Sequence, residues 1–155
     1  MPDAKTLVAL LEAKHLVCAT AESCTGGGIG QAITAVPGSS AVYAGGIVSY
    51  SNDVKHKVLG VSSEALARFG AVSSEVAAEM ALGAKRLTGA DLAVSVTGIA
   101  GPGGGSADKP VGLVWFGLAD ARGVRTEKAL FAGDRARVRE QAVVHALGML
   151  TVAAV

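Results

Sequence analysis

The stretch Leu16-Val17-Cys18-Ala19-Thr20-Ala21-Glu22-Ser23-Cys24-Thr25-Gly26-Gly27-Gly28 decides how this chain is read. Up to Glu22 it is a short run of Val, Cys, Ala and Thr, which suits a strand buried on both faces. Three glycines follow, and Ile29 to Val36 then reads as a helix. A buried strand, a glycine-rich turn and a helix in direct succession form the repeating unit of an α/β sheet. Such sheets bind their ligands beyond the carboxyl ends of the strands.

Upstream of that unit, Asp3 to about His15 reads as a helix with Leu7, Leu10 and Leu11 on one side. Downstream, Pro37-Gly38-Ser39-Ser40 makes a turn, and Ala41 to Tyr50 is a second strand, weakened by Gly45-Gly46. Asn52 or Asp53 caps a short helix through Leu59, and Ser62 caps another through Phe69. Ser73 or Ser74 starts a longer helix with Val76, Met80 and Leu87 at near-helical spacing. Leu92 to Val96 is a strongly apolar strand that feeds a Gly/Pro-rich loop from Thr97 to Pro110. Val111 to Leu118 and Val124 to Phe131 pair antiparallel, with Asp120-Ala121-Arg122-Gly123 as their turn. Asp134 caps a final helix carrying Val138, Val143, Leu147 and Leu150. The alternation predicts an α/β fold, a three-layer α/β/α sandwich with a mixed sheet.

Composition bounds the function. A chain of 155 residues suits one domain, 1–155, with a core that needs no staples. Hydrophobic residues at 50% against 17% charged exclude intrinsic disorder. A net charge of +1 and 4% aromatic residues argue against nucleic acid as the main partner, which needs a basic surface or stacking rings. Two cysteines, Cys18 and Cys24, make neither a metal spacing nor a disulfide scaffold. No signal peptide is visible, and the long uncharged stretch from Ser23 to Asn52 is broken by Pro37 and many glycines, so no membrane partner is expected. A cytoplasmic homo-oligomer is the expectation.

The usual glycine-rich signatures are absent: no Gly-Lys dipeptide for a P-loop, no G-x-G-x-x-G and no G-x-S-x-G. His15, His56 and His145 lie far apart, each in a predicted helix, and offer no metal cluster. What remains is Ser23, between a buried strand and a glycine-rich helix entrance. Its hydroxyl projects into the crevice, and the N–H groups from Cys24 to Gly27 are placed to stabilise an oxyanion beside it. The alternative reading is that Ser23 or Thr25 only caps the helix.

A serine nucleophile needs a base. Lys55 is the candidate, in the first turn of a short helix just after Tyr50-Ser51-Asn52. The positive end of a helix and partial burial both lower a lysine pKa. Tyr50 is placed to hydrogen-bond either partner. His56 is the rival base, but neighbouring helical residues point about 100° apart, so the two do not share a face. The other reading makes Lys55, His56 and Lys57 a solvated basic face.

Six strings occur in order: Ala21-Glu22-Ser23-Cys24-Thr25-Gly26-Gly27, Val36-Pro37-Gly38-Ser39-Ser40, Gly46 through Tyr50-Ser51-Asn52 with Lys55, Gly70-Ala71-Val72-Ser73, Thr97-Gly98-Ile99-Ala100-Gly101-Pro102, and Lys109-Pro110-Val111-Gly112. Together they resemble the CinA C-terminal domain family over about Leu7 to Leu150. The resemblance implies hydrolysis of the carboxamide of nicotinamide mononucleotide, giving nicotinate mononucleotide and ammonia without metal or organic cofactor. By motif it implies Ser23 as nucleophile, Lys55 as base and Tyr50 as helper. Thr25, Gly26, Gly27, Thr97 and Gly98 then belong to the substrate pocket, and Arg135, in Gly133-Asp134-Arg135, is the candidate for the substrate phosphate. Two other classes stay open: a non-catalytic pyridine-nucleotide-binding module, and a serine amidohydrolase acting on another small amide. Ser106-Ala107-Asp108-Lys109 fits an S-x-x-K pattern, but it lies in a Gly/Pro loop rather than on the helical turn that pattern needs.

Overall fold

The computed structural model describes residues 3–155, which form six α-helices and five strands. They are α1 (Ala4–Lys14), β1 (Cys18–Glu22), α2 (Gly28–Thr34), β2 (Tyr43–Val48), α3 (Asn52–Lys57), α4 (Ser63–Phe69), α5 (Ser74–Thr88), β3 (Leu92–Gly98), β4 (Leu113–Asp120), β5 (Gly123–Leu130) and α6 (Arg135–Ala154), with a 3₁₀ turn at Ser39–Ala41. The strands form one sheet in the order β2-β1-β3-β4-β5. β1 runs parallel to both β2 and β3, while β3-β4-β5 is antiparallel, so the sheet is mixed as expected.

β1 is central, which explains its unbroken burial: all five residues are covered. Successive side chains point to opposite faces. Cys18 joins Val94, Val96, Val114 and Phe116 under α1, α2 and α6. Ala19 and Ala21 join Ala93, Leu59 and Met80 on the face where α4 and α5 pack. These two apolar faces make the three layers. Each fully buried Leu or Val on them contributes about 1.5–3 kcal/mol, more than the roughly 0.5–1 kcal/mol that a strand glycine costs. Gly45-Gly46 therefore does not break β2. Gly45, at φ 147, sits where the β1–β2 register shifts. Gly46 leaves room for Thr20 Oγ1 and the Tyr43 hydroxyl, which are 2.7 Å apart.

Several local expectations shift. The cap of α3 is Ser51, whose Oγ accepts from Val54 N at 3.1 Å, rather than Asn52 or Asp53. Ser62, Ser73 and Asp134 cap α4, α5 and α6. In α5 the buried ridge is Val76, Met80 and Ala84; Leu87, in the last turn, is 52% exposed. In α6 the ridge is Val138, Ala142, Ala146 and Leu150, with Val143 only half-buried. His15 is the left-handed cap that ends α1, not a helical residue. Among the described residues, no helix is long and apolar enough to cross a membrane.

Candidate active site

The carboxyl ends of the three parallel strands meet in one place. Glu22 on β1 pairs with Val48 on β2 and Val96 on β3. One residue further on, Ser23 N donates to Val96 O at 3.0 Å, and Ser49 N donates to Glu22 O at 2.8 Å. Ser23 is thereby fixed between Ser49-Tyr50 on one side and Thr97-Gly98 on the other. A cavity of about 310 Å³ opens here, lined among others by Ser23, Cys24, Tyr50, Lys55, Gly98 and Arg135.

Lys55 enters this cavity from α3 and is 1% exposed, the largest fully buried side chain described. Its Nζ lies 3.1 Å from Ser23 Oγ, 2.8 Å from Ser49 O and 3.2 Å from Tyr50 O. A neutral amine has two N–H donors and one lone pair. As an ammonium Nζ donates to all three oxygens; as a neutral amine it gives its two N–H groups to the carbonyls and keeps its lone pair for the serine hydroxyl. Burial pushes the Lys55 pKa below the ordinary lysine value. Cys24 pulls the other way, but burial pushes the Cys24 thiol up to about 11, so at neutral pH it carries no charge to hold the lysine protonated. The helix N-terminus invoked from the sequence adds little, because α3 has six residues and Lys55 is already in its fourth position. Lys55 is therefore not part of a solvated basic face. His56 points elsewhere: its Nδ1 lies 2.7 Å from Val61 O.

Tyr50 is placed differently from the sequence expectation. The chain leaves β2 at Val48, and the ring ends 63% exposed. Its hydroxyl accepts from Arg135 Nη2 at 3.2 Å, and only its carbonyl meets Lys55. Arg135 also donates from Nη1 to Gly101 O at 2.8 Å, so it is held at the far rim rather than paired with Asp134. The cavity lining contains the two basic side chains Lys55 and Arg135 and no carboxylate.

Thr97 and Gly98 line the cavity with Ser23. The Thr97 hydroxyl is committed to Ala71 O at 2.9 Å, so Thr97 shapes the wall. Thr25, Gly26 and Gly27 are not among the residues that line the cavity, and the Thr25 side-chain and Gly26 N–H contacts are made within the turn and the strand before it. The Gly26 N–H is used by Ser23 O at 3.0 Å. Thr25 Oγ1 donates to Glu22 Oε1 at 2.6 Å.

Sequence reading passed over Glu22. It is fully buried, and its carboxyl oxygens also accept from Ile29 N at 2.8 Å and Gly30 N at 3.0 Å. The N-terminus of α2 is thus satisfied from within, which ties the turn after Ser23 to the strand before it. An acid immediately before a glycine-rich helix start was the available signal. Arg139 was also missed; its Nε and Nη2 donate to Cys24 O at 3.0 Å and Thr25 O at 3.2 Å.

Two rival locations carry less chemistry. Ser106 Oγ accepts from the Lys109 main-chain N–H at 3.1 Å, while Lys109 Nζ turns to Phe69 O, so that pair shares no amine–hydroxyl contact. A groove of about 350 Å³ between α6 and β4-β5 holds the Glu127–His145 pair at 2.6 Å but no serine, threonine or cysteine.

The fold and site define the class: an α/β protein with a buried serine–lysine pair at the strand ends of a mixed sheet. The model of the CinA C-terminal domain matches residues 2–153, and the chain belongs to that family. It is 57% identical over 90% of its length to the nicotinamide-nucleotide amidohydrolase PncC of Enterobacter agglomerans, covering 85% of that protein. It is 52% identical over 90% of its length to the protein of the same name from Escherichia coli K12, covering 86% of it. A longer CinA-like protein of Parasynechococcus marenigrum is matched over 95% of this chain but only 36% of its own length, at 48% identity. The crystal structure of the competence/damage inducible protein CihA from Agrobacterium tumefaciens superposes with a TM-score of 0.94 at 46% identity, covering 97% of this chain and 92% of that one.

Proposed function

We propose that this chain, acting as a single domain, hydrolyses the carboxamide of nicotinamide mononucleotide to nicotinate mononucleotide and ammonia. The observation that carries the reading is the buried Lys55 amine, 3.1 Å from Ser23 Oγ with two carbonyls at its other positions. The relatives named as nicotinamide-nucleotide amidohydrolases support the substrate class. Lys55 takes the Ser23 proton as Oγ attacks the carboxamide carbon. The tetrahedral intermediate collapses, the C–N bond breaks, and the proton returns from Lys55 to the departing nitrogen, which leaves as ammonia. Water then attacks the acyl ester, gives its proton to Lys55 and releases the acid; Ser23 takes that proton back.

Arg135 binds the substrate phosphate at the far rim of the cavity, where its guanidinium already meets the Tyr50 hydroxyl. The pyridinium charge adds to the penalty on a protonated Lys55. The same reading places the enzyme in the cytoplasm, supported by two buried free thiols. It makes the enzyme a homo-oligomer, supported by Leu130, Val152 and Val155 left exposed at β5 and the end of α6.

The test is ammonia release from nicotinamide mononucleotide by the wild type, Ser23→Ala and Lys55→Ala. Release by the wild type alone supports the reading. Binding without release identifies a pyridine-nucleotide-binding module. Release only from other amides identifies a different serine amidohydrolase.

A further inference from the structure

The turn after Ser23 has a consistent polarity. Its carbonyls are all taken up on one side: Ser23 O accepts from Gly26 N, Cys24 O from Arg139 Nε, and Thr25 O from Arg139 Nη2. In a trans peptide the N–H points opposite to the C=O. The Cys24 N–H is therefore turned away from the Ser23 carbonyl, and the Thr25 N–H away from the guanidinium. Among the described residues, neither N–H has an acceptor. Cys24 lines the cavity and Arg139 does not. Two free donors thus follow the nucleophile directly, with the cation behind them.

We propose that Arg139 is a positioning residue for the oxyanion site: its grip on the Cys24 carbonyl sets the Thr25 N–H of the same peptide, and its grip on the Thr25 carbonyl turns the Gly26 N–H onto Ser23 O and so sets the Cys24 N–H, aiming both at the tetrahedral intermediate on Ser23. The inference rests on Ser23 being the nucleophile of the proposed hydrolysis. Arg139 touches no reacting atom. Its charge also polarises the peptide groups it holds, which strengthens their N–H donors where charge develops. Glu22 is the opposing anchor: it holds the start of α2 through Ile29 N and Gly30 N, so the turn is fixed from both ends. Arg139 is exposed, so its removal opens a solvent-filled gap rather than a core cavity.

The test compares the wild type, Arg139→Ala, Arg139→Lys and the charge-matched control Arg122→Ala, whose side chain is 76% exposed beside Asp120. Losing one oxyanion donor costs about 10²–10³ in kcat, so misaiming such donors should cost roughly 10–100-fold. The expected result is that loss in kcat for Arg139→Ala, with KM within about threefold, a smaller loss for Arg139→Lys, none for Arg122→Ala, and partial recovery of Arg139→Ala by millimolar guanidinium. A second readout is independent of the substrate. With 3-pyridineboronic acid, Ser23 Oγ adds to boron, its proton passes to Lys55, and a tetrahedral boronate anion forms. That adduct should be at least about tenfold weaker in Arg139→Ala, by the same donor loss, and absent in Ser23→Ala. Unchanged kcat and unchanged boronate affinity in Arg139→Ala would overturn the assignment, as would a loss that follows a fall in Tm without guanidinium rescue. If the wild type releases no ammonia yet its boronate adduct depends on Arg139, the substrate reading fails and the role of Arg139 stands.

Discussion

Two serine–lysine pairs invite comparison among the described residues, and only one of them brings the amine to the hydroxyl. Ser106 and Lys109 are three residues apart, yet the Lys109 amine reaches Phe69 O and leaves the hydroxyl to a main-chain N–H. Ser23 and Lys55 are 32 residues apart and meet at 3.1 Å in a buried site. The near pair lies in a surface loop, where the half-buried lysine turns its amine to the Phe69 carbonyl. The distant pair is brought together by β1 and α3, and burial strips the amine of the water that would stabilise its charge. Burial, rather than sequence spacing, is what lowers the pKa of a lysine.

The largest effect expected is at the distant pair. Ser23→Ala and Lys55→Ala should each lower kcat by at least about 10³-fold, and the double variant should be scarcely worse than either, because members of one catalytic unit are not additive. Steady-state ammonia release checks this; independent, multiplying effects would separate the pair into two unrelated residues. Next comes Arg135→Ala. Loss of a charge-assisted hydrogen bond of about 1.5–3 kcal/mol predicts a KM rise of roughly 10–100-fold for the mononucleotide. The unphosphorylated riboside should show no such change.

Lys55→Met tests the cost of the buried amine in thermal unfolding. The folded Lys55 pKa is lowered, so between that pKa and the ordinary lysine value the unfolded chain binds more protons than the native one. Wild-type stability therefore rises with pH across that window. The variant lacks this slope, so its gain in Tm should be full below the folded pKa and should shrink as pH rises. A gain that grows with pH contradicts the account. The smallest effects belong to the near pair: Ser106→Ala and Lys109→Met should leave kcat/KM within about twofold, as surface substitutions away from a site do.

Much of the fold is legible in the sequence. The run of small and β-branched residues in β1 marks a central strand, and the serine and aspartate caps at Ser62, Ser73 and Asp134 fix where helices start. Ser51 was missed as a cap because three adjacent polar residues all suit that role, and only geometry chooses among them. Leu87 was misjudged because helical spacing specifies a face but not how far along that face the sheet extends. At the site, Ser23 was legible from its place between strand and glycines. Lys55 is the candidate base from its place after Tyr50-Ser51-Asn52, but beside His56 and Lys57 it also reads as a solvated face, and only the family resemblance decides between the two. Glu22 and Arg139 were not read. Glu22 acts on N–H groups seven and eight residues away, signalled only by its place before a glycine-rich helix start, and Arg139 on carbonyls more than a hundred residues away, contacts that no local pattern encodes.

The most direct test of the central claim is the pH dependence of kcat/KM for ammonia release from nicotinamide mononucleotide. Because the reactive form of Lys55 is the neutral amine, activity should rise with pH, with an inflection below that of an ordinary lysine. A flat profile, or an inflection at the ordinary lysine value, would mean that Lys55 is not the base that activates Ser23.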